Sequence, residues 1–404
     1  TFVGRGALDF NTEEMSLTEV VEIPKINVTG QIPQNNVKVA YIFDRENPAN
    51  YEQMSWAEFH NGVAVGLQIS RRALESLDKQ GIRTWIDYQK TEYKRYDHAG
   101  LMFGLGLQGL FNCFTIADIY FNLRTCNDSR IISTILGLAT SKLPSNRINM
   151  SEIILKAFNL HLEFNYSSAS EVKISRIVQS AAMISIGLYH KGMSKKSLSE
   201  TMLFQIEARP FNENNRDREC HSLCAGFALG IINLSRGSNI PSIKEMKLDE
   251  RLLQYIQGGP VSSAVPGEGP NRGDYQSSNL LDCGSINTQM TAPSALMALA
   301  LIHLKSGNKS ISNRIKVPDT MFDIIQCNPC LSLLKVLTRN LILWGDMQPT
   351  RTFVYSQIPE IVRFLLESNQ KGISDKFYLN SNFANLDYHN LTLVYYNILA
   401  GSCM

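Results

Sequence analysis

"HAGLMFGLGLQGL", His98 to Leu110, carries Gly104, Gly106 and Gly109 in the spacing G-x-G-x-x-G. That spacing builds the turn that cradles a dinucleotide pyrophosphate, provided a strand precedes the glycines and a helix begins among them. Here "DHAGLMF" already sits in the helical register that carries Gly100 and Gly104. Asp128 stands at roughly the distance of a ribose-contacting acid, about 20 residues on, but one acid at one distance is a common accident. The glycines serve something other than phosphate.

Self-similarity says what. Gly100, Gly104 and Gly106 define a template, small at i, i+4 and i+6 inside an apolar run. It recurs as Gly62, Gly66 and Gln68 in "NGVAVGLQ" and as Ser133, Gly137 and Ala139 in "ISTILGLA". Further copies are Ala181, Ser185 and Gly187, then Gly226, Gly230 and Ile232, then Ser294, Ala298 and Ala300. Steps of 38, 33, 48, 45 and 68 residues separate the copies, and the last step holds a Gly- and Pro-rich insertion over 258–282. Repeats of this length are helix pairs stacked into a solenoid.

The angles explain the small residues. At about 100° per residue, i and i+4 lie about 40° apart, whereas i+6 lies about 140° from their midpoint. One helix is therefore approached closely on two sides. Each Gly in a helix costs about 1 kcal/mol against Ala, so three demand a return in close contact. More ordinary amphipathic helices follow: "TIADIYFNL", "MSEIILKAFNL" with Ser151 as the expected cap, and "KKSLSETMLFQIEA" before Pro210. "LSLLKVLTRNLILW", "PEIVRFLLES" and "LDYHNLTLVYYNILAG" continue the style with a weaker small-residue signal. The fold class expected is an all-α superhelical solenoid over 51–404. Residues 1–50, with Pro24, Pro33 and Pro48, read as an extended strap, and 258–282 as a flexible loop.

Composition narrows the function. The 404 residues are 44% hydrophobic and 19% charged, enough for a large core. Net charge is +2 with no long block of one sign, which disfavours nucleic acid as the main partner. His98 to Ala117 lacks charges, but Gln108, Gly109 and Asn112 break it into helix, turn and helix rather than a membrane span. Eight cysteines include "CHSLC" (Cys220, His221, Cys224) and "CNPC" (Cys327, Cys330), each a lone half of a zinc set and better read as packing. The chain holds no G-x-S-x-G, H-E-x-x-H or Walker loop. His60 and His98 hold equivalent repeat positions and read as structural residues at helix starts. No catalytic residue, metal, cofactor or small-molecule substrate is expected, and NAD or ATP should leave the melting temperature unchanged. The start at Thr1 without Met and the end at "ILAGSCM" in mid-pattern read as cuts in a longer protein.

Several strings, in order along the chain, resemble the proteasome/cyclosome repeat domain of the largest scaffold subunit of the anaphase-promoting complex. They are "VGRG" (3–6), "IPKINVTG" (23–30), "SWAEFHNGVAVGL" (55–67), "DRECHSLCAGFALG" (217–230), "RGSN" (236–239), "PDTM" (318–321) and "LILWGD" (341–346). The likeness is patchy over 69–95, 258–282 and 361–390. It implies a helical solenoid closing toward a ring, non-catalytic, nuclear and cytoplasmic, within a cell-cycle ubiquitin ligase. It also implies contacts with other subunits, the coactivator's N-terminal region and the Doc-domain subunit. The large non-ATPase subunits of the proteasome base share the repeat. A helical-repeat binding module of another kind would explain all but the strings. Loops between repeats are the expected contact points, with Arg209, Arg216, Asp217 and Arg218 as weak candidates.

Overall fold

A computed structural model describes residues 20–24, 29–34, 37–42, 48–69, 78–89, 96–124, 127–141, 148–162, 174–207, 217–237, 240, 244–259, 286–370 and 388–404. The chain forms two compact units, 1–189 and 190–404. The described residues are overwhelmingly helical, as the repeat pattern predicts.

The first unit opens with a hairpin. β1 (Thr29–Gln34) runs antiparallel to β2 (Val37–Ile42), with Thr29 opposite Ile42 and Gln34 opposite Val37. An extended strap is therefore an incomplete description, because this stretch folds back on itself. The first helix, α1 (Pro48–Gln68), also begins inside the expected strap. Pro48 suits a first helical position, where its missing N–H would be unpaired anyway. Then come α2 (Lys79–Tyr88), α3 (Tyr96–Leu107), a 3-10 turn (Leu110–Cys113) and α4 (Ile116–Leu123). The unit closes with α5 (Asp128–Thr140), α6 (Ile148–His161) and α7 (Arg176–Tyr189). Helices α1, α3, α5 and α7 pack each on the next as one inner row, while α4 and α6 flank it.

Two expectations at helix starts are corrected. Ser151 lies inside α6, which begins at Ile148, so it is not the cap. His60 lies in mid-α1 and is exposed, unlike the buried His98 near the start of α3. Equivalent repeat positions do not fix equivalent surroundings when a helix is extended at its N-terminus.

The second unit repeats the plan. α8 (Lys196–Glu207), α9 (Arg218–Ile232), α10 (Leu248–Gln257) and α11 (Thr288–Ile302) are followed by α12 (Lys309–Arg314) and α13 (Met321–Gln326). α14 (Pro329–Ile342), α15 (Arg351–Ser356), α16 (Glu360–Gln370) and α17 (Tyr388–Cys403) complete it. Its inner row is α9, α11, α14 and α17, flanked by α8, α10, α12, α13, α15 and α16. Short polar side chains set the helix starts. Asn127, Asn287, Asn308, Thr320, Asn328 and Thr350 each accept a hydrogen bond from a backbone N–H in the first turn. Ile324, Val336, Val362, Leu391, Val394 and Ile398 form the last core cluster. Most of the insertion lies outside the described residues, but its base is closed, because Ile286 N donates to Gly259 O.

Candidate scaffold surface: packed seams and the edge that joins them

The template glycines sit where inner helices touch backbone to backbone. A Cβ on Gly104 would stand 2.7 Å from Val63 O and 2.9 Å from Gly66 Cα, and one on Gly66 2.7 Å from Leu101 O. On Gly62 and Gly100 it would collide outright with Asp97 O and Phe59 O. Gly106 faces the other way, onto Gly137 of α5, so α3 is approached on two sides. Gly137 also receives the Phe111 ring from the 3-10 turn. In the second unit Gly226 lies against Ser294, and Gly230 against Leu301 and Ala298. Ala298, Ala300, Ser133 and Ser185 are fully buried, and Ala181 and Gly187 are buried beside them in the inner rows. Gly109 takes φ +86°, left-handed backbone that ends α3 and begins the 3-10 turn. The fingerprint spacing thus joins two packing glycines and one turn glycine.

Some seam residues escape sequence reading. Ser332, Val336 and Thr338 of α14 fill i, i+4 and i+6 and are fully buried, with Thr338 Oγ1 donating to Leu296 O at 3.3 Å. Val and Thr hide the template there. Gly401 in α17 packs on α14, where a Cβ would stand 2.6 Å from Leu333 O. Ser222 Oγ lies 2.8 Å from Ser294 Oγ and donates to Ile206 O at 2.8 Å, pinning α9 between α11 and α8.

The C-termini of inner helices are stitched together. A helix end leaves carbonyls without intrahelical donors, and burial makes each one need a partner. In the first unit side chains supply the donors. Gln108 Nε2 reaches Gly66 O at 2.8 Å, and Ser141 Oγ reaches Gly106 O at 3.0 Å. In the second unit turn backbones do it. Gly192 and Ser194 donate to Ile231 and Ile232, Ser235 to Leu301, and Lys305 and Gly307 to Leu341 and Ile342, all at 2.9–3.0 Å. Ser194, Ser235 and Lys305 adopt left-handed backbone to do so.

α4 buries polar groups beside an apolar one. Its buried face carries Asp118 (7% exposed) and Asn122 (2%) with Ile119 (2%), while Ile116 (50%) and Tyr120 (65%) face outward. Asp118 accepts from Arg83 Nε at 2.7 Å and Nη2 at 2.9 Å, and from Thr115 N and Oγ1. Burial works against its ionisation, but the bonds from Arg83 and Thr115 outweigh that and hold the carboxyl below its ordinary range.

The residues of the half-zinc strings have unlike surroundings. Cys220 is exposed and Cys224 half-buried, while His221 is buried with Nε2 3.1 Å from Gln205 Oε1. Cys327 Sγ lies 3.1 Å from Ser332 Oγ, and Cys330 is exposed. Among the described residues no group of three or more His, Cys, Asp or Glu is placed for a metal, and no helix is long and apolar enough to cross a membrane. Of the contact candidates, Arg209 and Arg216 lie outside the described residues, and Asp217 and Arg218 stand half-buried at the start of α9.

Buried His190 opens the second unit's first turn. Its desolvation, helped by Lys195, pushes its pKa down to about 4. The unfolded chain titrates near 6.5, so in that window the unfolded state binds more protons and stability falls as pH drops. His190→Asn is expected to flatten the decline in urea midpoint between about pH 6.5 and 4. An undiminished slope in the variant would assign the decline to other groups.

Comparison with known proteins completes the description. The family model described as "APC1 fifth domain" matches residues 152–404, and "APC1 fourth domain" matches 1–143. The chain is 32% identical to anaphase-promoting complex subunit 1 of Arabidopsis thaliana over 385 residues, covering 95% of the chain and 22% of that protein. With the Homo sapiens protein of that name it shares 32% over 413 residues, 100% of the chain and 20% of the relative. With that of Schizosaccharomyces pombe it shares 31% over 402 residues, 99% of the chain and 24% of the relative. The chain therefore spans about a fifth of the length of the curated relatives it matches.

Proposed function

Because the chain belongs to the anaphase-promoting complex subunit 1 family, we propose that it is a non-catalytic scaffold segment of that cell-cycle ubiquitin ligase. It organises other subunits and contributes to contacts with the coactivator's N-terminal region and the Doc-domain subunit, in nucleus and cytoplasm. The observation that carries this reading is the backbone-to-backbone seam between inner helices. Helices locked at Gly62, Gly66, Gly100 and Gly104 have no slack to slide, which suits a surface that holds proteins in fixed relation.

Cross-linking mass spectrometry on the intact assembly tests it. Links are expected from inter-repeat turns and from the outward face of α4 to neighbouring subunits, the coactivator or the Doc-domain subunit. An assembly that forms and keeps both partners after deletion of this whole region would overturn the scaffold role.

A further inference from the structure

The stitched turns of the second unit carry cations at regular intervals. Lys191 and Lys195 lie on the first turn, Arg236 on the second and Lys305 on the third, all exposed. The backbone bonds from Gly192, Ser194, Ser235, Lys305 and Gly307 set these turns side by side along one edge. Arg236 Nε also donates to Gly192 O at 2.9 Å, tying the first two turns together. Between them lies a shallow cavity of about 390 Å³, lined by Lys191, Gly192, Leu234, Ser235 and Arg236. The segment into α10 crosses the same edge, fixed by Glu245 to Lys196 at 2.9 Å and by Asp249 to His303 at 2.9 Å, and it adds exposed Lys244 and Lys247.

The acids of this edge are engaged. Glu245 is held by Lys196, Asp249 by His303, and Asp346 lies 3.8 Å from Lys309. Exposed Glu200 and Glu250 stand on α8 and α10 rather than on the turns themselves, and the exposed Lys191, Lys195, Arg236, Lys244, Lys247 and Lys305 outnumber them. A chain of net charge +2 thus concentrates positive charge on one line.

We infer that this edge binds an extended acidic peptide segment of a partner protein, with carboxylates at about every third residue. Packed helices stand about 8–10 Å apart and an extended chain rises about 3.3 Å per residue, so about three residues span one turn to the next. The cavity beside Leu234, with exposed Met193 nearby in the chain, gives the intervening residues an apolar foothold. A continuous phosphate backbone fits less well, because it would lay charge over the Lys196–Glu245 and Lys309–Asp346 pairs, whereas a peptide can place neutral residues there. The inference rests on the scaffold reading only for the premise that the ligand is a protein. Peptide binding is read on the chain itself, so either idea can fail without the other.

The test is fluorescence anisotropy on the full chain with a labelled peptide of Glu-Ser-Gly repeats. The comparators are an isomer with its glutamates gathered at one end and a single-stranded oligonucleotide of equal charge. The spaced peptide should saturate at tens of micromolar, roughly, and weaken with added salt. The isomer and the oligonucleotide should bind more weakly. Lys191→Glu with Lys305→Glu should weaken binding about tenfold, whereas Lys79→Glu with Lys156→Glu, an equal charge change elsewhere, should leave it unchanged. If the first double variant loses its melting transition, Lys191→Gln and the isomer comparison decide. Absence of saturable binding, equal loss in both double variants, indifference to glutamate spacing, or tighter oligonucleotide binding would each overturn the inference.

Discussion

Gly104→Leu is expected to destabilise the first unit by about 4 kcal/mol or more, a large share of the roughly 5–15 kcal/mol that holds a domain together. The reason is what stands in the way. A Cβ at Gly104 meets Val63 O and Gly66 Cα at 2.7 and 2.9 Å, and these are main-chain atoms of α1 that no rotamer change can move aside. Relief requires α1 and α3 to separate, which opens the row on both sides of Gly66 and Gly100. Gly104→Ala is the sharper experiment. In an open helix that change stabilises by about 1 kcal/mol; here the seam should reverse the sign and cost about 2 kcal/mol. Gly345 provides the control, since nothing lies within 4 Å of a Cβ placed there. Gly345→Ala should change stability by no more than about 0.5 kcal/mol. Urea midpoints read all three. A Gly104→Ala chain as stable as the parent would mean that the seam is looser than the glycines imply.

The second large effect belongs to α4 and its buried carboxylate. Asp118→Ala should cost about 3 kcal/mol, because one side chain serves as capping-box partner of Thr115 and as anchor for both Arg83 bonds. Arg83 is about one-third exposed and can recover water, which keeps the loss below that of a wholly buried pair. Asp118→Asn retains an acceptor for Thr115 but not the charge, and should fall between. The carboxyl's folded pKa lies below its unfolded value, so its contribution is complete above the ordinary carboxylate range and is lost as pH falls beneath it. Loss of amide protection in α2 along with α4 would mark Arg83–Asp118 as the joint. An Asp118→Ala chain with parental stability and intact α2 protection would show the joint to be dispensable.

What the sequence determined by itself was local and periodic. Small residues at i, i+4 and i+6 are legible because helical geometry turns spacing into angle, so close approach on two faces can be read before any neighbour is known. The same spacing disqualified the phosphate turn at Gly104 to Gly109. Tertiary structure decided what depends on contacts far apart in sequence. Nothing near Gly137 announces that the Phe111 ring will fill its space. Ser332, Val336 and Thr338 occupy template positions in α14, yet Val and Thr carry no visible mark of smallness. In α4 the apolar spacing places Ile119 inside correctly, but Asp118 and Asn122 turn inward with it only once Arg83 and Arg130 are brought to meet them. The alignment of Lys191, Arg236 and Lys305 on one edge exists only because turn N–H groups seek the orphaned carbonyls of the next inner helix. Periodicity reports which face a residue occupies; only the packed chain fixes what that face meets.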